Sequence, residues 1–160
     1  MSLVTLTQRI IAADEGLRVE AGKAVNMLLT IRNWFIGFCL VHYEQNGEER
    51  AQYGEGLVDT VAKNLTATGM SARNLRLYRR FFLVYIHLAP GVHDFLTKKI
   101  WQSPIAKFDS VDLQRIGDLS IDLEQPETSM VLLPEKLLLN LSFTHLTLLL
   151  ALQDSFKRTF

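Results

Sequence analysis

Apolar side chains between Leu17 and Gln45 recur at helical intervals: Val25, Leu28, Leu29, Phe35, Ile36, Cys39, Leu40 and Tyr43. Residues three and four apart share one face of an α-helix. The pattern therefore predicts a single helix starting near Asp14 or Leu17 and ending at Gln45. Asn46 and Gly47 supply the stop, because both tolerate positive φ. Such a helix runs for about seven turns or more. Its wide apolar face needs partners, and the simplest solution is a bundle with this helix as the spine.

Shorter helical patterns follow. Leu57, Val58, Val61, Ala62 and Leu65 give an apolar face to a helix expected over Glu49 to Thr66. Gly54 and Gly56 weaken its first part and predict a break near Tyr53. Gly69 then makes a turn, and Ser71 is placed to cap the next helix. Asn74, three residues on, stands where a Glu or Gln would usually bond back across the cap. This third helix is expected to reach Leu88 and to end at Pro90-Gly91. A short helix over Val92 to Trp101 and a linker at Ser103-Pro104 come next. Residues 104–131 read as an acidic, loop-rich insert with one short helix at most and a strand near Met130 to Leu133. Pro134 fits the first turn of a helix over Glu135 to Leu139, and Ser142 caps a last helix from Phe143 to Phe160. That helix has no stop signal, which predicts that the chain is a fragment of a longer protein. The whole of 1–160 reads as one mainly α domain, a helical bundle, with apolar residues at 48% and charged residues at 21%.

The single cysteine, Cys39, excludes an intrachain disulfide and suits a reducing, cytoplasmic setting. Its apolar surroundings predict a buried small hydrophobe. The first residues, MSLVTLTQRII, lack the basic-then-apolar order of a signal peptide. Leu137 to Leu152 is apolar but short, and it carries Asn140, Ser142, Thr144 and His145. It fits a buried helix pair better than a membrane span, so no membrane partner is expected.

Net charge is zero, yet the charges are segregated. Thr60 to His93 holds no acid and five bases: Lys63, Arg73, Arg76, Arg79 and Arg80. Asp109 to Glu127 holds six acids and one base, Arg115. On a helical wheel Leu75, Tyr78, Phe81, Phe82 and Tyr85 share one side. Arg73, Arg76 and Arg80 fall within about 60° of each other on another, with Arg79 at the flank.

Enzyme signatures are missing from the sequence. His42, His87, His93 and His145 make no metal-ligand spacing with each other or with Cys39. There is no phosphate-cradling glycine loop and no GxSxG elbow. No catalytic role, metal or cofactor is therefore expected. The positive signal is VAKNLTATGMSARNLRLYRRF, which reads as an apolar helix, a turn and a Ser-capped helix. Val61, Ala62 and Leu65 would pack against Leu75 and Tyr78. In a helix-turn-helix the first helix braces and the second presents its outer face to a groove of DNA. Arginine forks suit phosphate oxygens and guanine edges, and a helix N-terminus with Ser71 can donate to a phosphate. The rival readings are a solvated bundle helix and a protein-binding face.

Several stretches together resemble the N-terminal domain of the YhcG family of prokaryotic proteins. Asn33, Trp34, Ile36 and Gly37 match its Tyr/Asn-Trp-x-Ile-Gly core. Arg50, Ala51, Tyr53 and Gly54 match Arg-Ala-x-Tyr-Gly. Ser71, Asn74, Leu75, Arg79 and Phe81 match the Ser-x-x-Asn-Leu-x-x-x-Arg-x-Phe helix. Leu141, Ser142, Phe143 and His145 match Leu-Ser-Trp-x-His, with Phe for Trp. The resemblance covers about Ala24 to Phe160 apart from the acidic insert. It implies a winged-helix-like, DNA-binding unit ahead of a PD-(D/E)XK nuclease-like domain that would follow Phe160.

The expectation is a non-catalytic DNA-binding module that positions this nuclease domain in cis. Arg73, Arg76 and Arg80 would meet the duplex, with Arg79 and Lys63 at the flanks and Ser71 at a phosphate. Trp34, Tyr53 and Phe81 would be core, and Asn74 would stabilise the turn. The alternative is an oligomerisation domain, a homodimer built on the long first helix and the Leu-rich tail, with no DNA contact of its own. The acidic insert could also lie over the arginine face as a phosphate mimic.

Overall fold

The computed structural model describes residues 2–46, 56–65, 70–100, 110–123, 138 and 140–159. These form α1 (Leu3–Asn46), α2 (Leu57–Asn64), α3 (Ala72–Val84), a 3-10 turn (Ile86–Leu88), α4 (Ala89–Phe95), a π-helical turn (Leu96–Ile100), α5 (Ser110–Leu123) and α6 (Phe143–Thr159). No strand occurs among the described residues, as a mainly α fold requires. Tyr53, Gly54, the strand expected near Met130 and most of the helix expected over Glu135 to Leu139 lie outside the described residues.

The α1–α3 pair is the backbone of the fold. Ile31, Trp34, Phe38 and Val41, spaced by three and four, are buried in one cluster with Phe81, Phe82 and Tyr85. Trp34 stacks parallel on Phe38, with centroids 6.1 Å apart, and meets Phe82 edge-on at 4.9 Å. Burying side chains of this size stabilises the fold by about 1.5–3 kcal/mol each. The helices approach closely because Gly37 has no side chain. A β-carbon there would lie 2.1 Å from the Tyr78 carbonyl oxygen and 2.7 Å from Phe82 Cβ.

Tyr85, which ends α3, joins three helices. Its carbonyl accepts a 2.9 Å hydrogen bond from Trp34 Nε1 on α1. Its hydroxyl donates to the Leu146 carbonyl on α6 at 3.1 Å. Leu146 and Leu150 carry α6 into the same core. A smaller cluster of Leu40, Val58, Leu75 and Tyr78 seats α2 between α1 and α3.

The third helix ends earlier than expected, at Val84. Pro90 is not a stop. It stands in the first turn of α4, where its missing N–H costs nothing. Residues 110–123, expected to be loop-rich, form a 14-residue helix. Leu113 and Ile116 of α5 are buried against α4, together with Ala89 and Val92. Asp112 of α5 lies near enough to α1 to act on Cys39 and His42. Burial, with the Asp112 charge added, pushes the Cys39 thiol up to about 11.

The first helix starts at Leu3, well before Asp14. Ser2 Oγ accepts from the Thr5 N–H at 3.2 Å, which is N-cap geometry. Residues 2–26 are all exposed. Val25, Leu28, Leu29 and Tyr43 are exposed as well, so half of the apolar residues that predicted α1 lie outside the core. By length and composition α1 could cross a membrane: its most apolar 18-residue window has mean hydropathy 1.5, and 44% of that window is buried inside the fold. Packing on α3 covers part of that apolar stretch, the side that carries Ile31, Trp34, Phe38 and Val41.

Candidate nucleic-acid interface

The arginine helix α3 begins where the cap signal placed it. Ser71 is extended, with ψ 155°, and its Oγ accepts from the Asn74 N–H at 3.3 Å. Leu75, Tyr78, Phe81 and Phe82 are buried. Tyr78 and Phe81 meet the Phe143 ring edge-on at 5.6 Å and 5.0 Å, which fixes the roll of α3 and hence the direction of its outer face.

Sequence reasoning put four arginines on that outer face, and the structure divides them. Arg79 is half-buried and reaches across to α1. Its Nε lies 3.0 Å and 2.9 Å from the two carboxylate oxygens of Glu44, and its terminal nitrogen is 2.8 Å away. Arg76 bonds Asp59 of α2 at 2.8 Å. These two side chains strap α3 to its neighbours and spend part of their charge on carboxylates. Arg76 stays more than half exposed despite its bond, and Arg73 and Arg80 are exposed too. Arg73 and Arg80 are seven residues apart, so they lie within about 20° of each other and about 10 Å apart along the helix. Lys63, in the last turn of α2, is also exposed.

The brace differs in detail from expectation. Val58, Val61 and Ala62 pack with Leu75 and Tyr78, whereas Leu65 is 41% exposed, because α2 ends at Asn64 and the chain turns extended there. Among the described residues, the acids that reach Arg76 and Arg79 come from α1 and α2. Removing Asp109 to Glu127 would strip Leu113 and Ile116 from the core, so that deletion is no clean test of a phosphate mimic.

Several of the other motif residues pack the core or cap a helix. Trp34 and Phe81 are fully buried, and Gly37 sets the α1–α3 distance. Ser142 and His145 cap α6 reciprocally. Ser142 Oγ accepts from the His145 N–H at 3.4 Å, and His145 Nδ1 accepts from the Ser142 N–H at 3.3 Å. Imidazole here takes the place of the usual Glu or Gln. Among the described residues no group of three or more His, Cys, Asp or Glu is placed to hold a metal. Glu44 and Asp59 were missed in the sequence, since each lies far along the chain from its arginine. Tyr85 was seen only as one more aromatic on the core side.

The comparisons agree with these motifs. No solved structure gives a significant match. The Escherichia coli (strain K12) protein named "Putative nuclease YhcG" is 34% identical over 112 residues, 65% of this chain and 29% of that protein. The chain therefore spans less than a third of that relative's length. The model of the DUF1016 N-terminal domain matches residues 8–160. A match over nearly the whole chain settles its membership: this chain belongs to the DUF1016 N-terminal domain family, with the YhcG protein among its relatives.

Proposed function

We propose that this domain is a non-catalytic DNA-docking module, which holds DNA for a nuclease domain carried elsewhere in the full-length protein. One observation carries the reading: Arg73 and Arg80 lie exposed on one line of a Ser-capped helix whose opposite side is locked into the core. Helix positions about 10 Å apart along the axis match a rise of about three nucleotide steps of one strand. Lys63 extends the basic surface on α2, and Ser71 marks a helix N-terminus suited to a phosphate oxygen. In this reading α2 and α3 act as a helix-turn-helix pair, with α2 bracing and α3 facing the groove. Arg76 and Arg79 orient α3 and touch the duplex little. The name of the YhcG relative supports a nuclease as the partner in cis.

Three phosphate contacts imply modest affinity and a log-log salt slope of about −2 to −3. The test is fluorescence anisotropy of a labelled duplex pool at low and near-physiological salt. The comparison is with the triple change Lys63→Ala, Arg73→Ala, Arg80→Ala, each protein checked for folding. Salt-sensitive binding lost in the folded triple variant supports the reading. Equal binding by both proteins, or none by either, overturns it and leaves the domain an assembly role.

A further inference from the structure

The first half of α1 poses a separate question. Leu3 is 79% exposed, Ile10 60% and Leu17 71%. These residues are spaced by seven, and the same register continues to Ala24, Ile31 and Phe38, the last two buried in the core. The companion positions Leu6, Ala13, Glu20 and Met27 lead to Trp34 and Val41, also buried. A single heptad seam thus runs the length of α1. Its C-terminal half is packed on α3. No described element covers its N-terminal half.

We propose that this bare half pairs with the same segment of a second copy of the chain, as a parallel two-stranded coiled coil. The charges beside the seam select this occupant. With Leu3, Ile10 and Leu17 at a, the g positions are Ser2, Arg9, Gly16 and Lys23, and the e positions are Thr7, Asp14, Ala21 and Leu28. The ionisable g residues are basic and the ionisable e residue is acidic. A parallel dimer sets g of one helix against the following e of its partner, so Arg9 meets Asp14 of the second copy. An antiparallel pair would set g against g and bring Arg9 toward Lys23. Asp14 now bonds Arg18 at 2.6 Å, but both side chains are more than half exposed, so that pairing exchanges readily. Glu20 interrupts the seam at a d position, held by Lys23 at 2.8 Å. An isolated helix here is poorly supported, since Gly16 and Gly22 lie within it, and a β-carbon at either would meet no other element. A membrane fits less well: Arg9, Asp14, Glu15, Arg18, Glu20 and Lys23 crowd this half. The inference holds whether or not the domain binds DNA.

The test is sedimentation equilibrium of the 160-residue chain across a concentration series. The wild type should show the mass of two 18.2 kDa chains. Ile10→Lys with Leu17→Lys should return it to one, while Trp34 fluorescence reports an intact core. Glu20→Leu should tighten the dimer at least tenfold. Orientation is read by Ile10→Cys in a Cys39→Ser background: mild oxidation should give a disulfide-linked dimer, as only a parallel pair brings the two residues together. A monomeric wild type overturns the proposal, as does a dimer indifferent to the lysines or a failure of cross-linking. Co-sedimentation of a monomeric wild type with mixed phosphatidylcholine and phosphatidylglycerol vesicles, abolished by the lysine pair, would overturn it in favour of a membrane.

Discussion

Gly37 of α1 faces the backbone of Tyr78 on α3 so closely that a β-carbon would lie 2.1 Å from the Tyr78 carbonyl oxygen. The obstacle is backbone in the middle of a helix, so it cannot swing aside as a long side chain would. The whole α1–α3 interface must open to admit one methyl group. Gly37→Ala should therefore cost about 2–3 kcal/mol, at the upper end of overpacking, although alanine is the better helix former. Urea denaturation should show a lower midpoint with an unchanged m-value.

Tyr85 offers a test of how α6 is held. Tyr85→Phe removes one hydroxyl and leaves the Leu146 carbonyl without that donor, at a cost of about 1 kcal/mol. Trp34→Phe removes the other bond and leaves space in a packed core, so the loss should be larger, about 2–3 kcal/mol. The chemical-shift changes of the first should concentrate in α6, and those of the second at the α1–α3 contact.

The arginines should separate by readout. Arg79→Ala breaks a bidentate pair with Glu44 and should lower stability by about 0.5–1 kcal/mol, with little effect on DNA binding. Arg73→Ala should do the reverse. A Glu44→Gln variant should match Arg79→Ala in stability, since both remove the same ion pair. If Arg73→Ala and Arg79→Ala weaken DNA binding equally, the division of labour proposed here fails.

Acid should destabilise the fold through its histidines. Burial holds His87 below the ordinary value of 6.5. His42 is lowered by burial and then by the Arg115 charge, with Asp112 opposing. The unfolded chain then binds protons more readily than the folded one. This stability is present above pH 6.5 and is lost as pH falls through the depressed folded values. Unfolding midpoints should drop as pH falls below about 6.5, and His87→Gln should flatten that slope.

Cys39 should be slow to label. Raising the thiol from 9.0 to about 11 is a shift of 2, or about 100-fold less thiolate at neutral pH. Native chain should react with a disulfide reagent far more slowly than urea-unfolded chain.

Much of the fold is legible in the residues themselves. Helix periodicity, the Ser71 and Ser142 caps and the aromatic face of α3 depend on neighbours within a turn or two, where geometry is fixed by the backbone alone. The early start of α1 was readable in Ser2 and in Leu3, Leu6 and Ile10. The more apolar stretch after Leu17 masked it. The helix at 110–123 was obscured by its acids, though Leu113, Ile116 and Ser120 mark its buried side.

The partition of the arginines was not legible at all. Sequence determined that Arg73, Arg76, Arg79 and Arg80 share the polar side of one helix, because 100° per residue follows from local geometry. Only the tertiary structure decided that Arg76 and Arg79 also tie α3 to carboxylates on its neighbours. Glu44 lies 35 residues from Arg79 and Asp59 17 from Arg76; Gly37 and Trp34 bring α1 with Glu44 against α3, and Val58 seats α2 with Asp59 beside it. Local chemistry set the charge on the helix, and packing between distant segments decided how much of it faces outward.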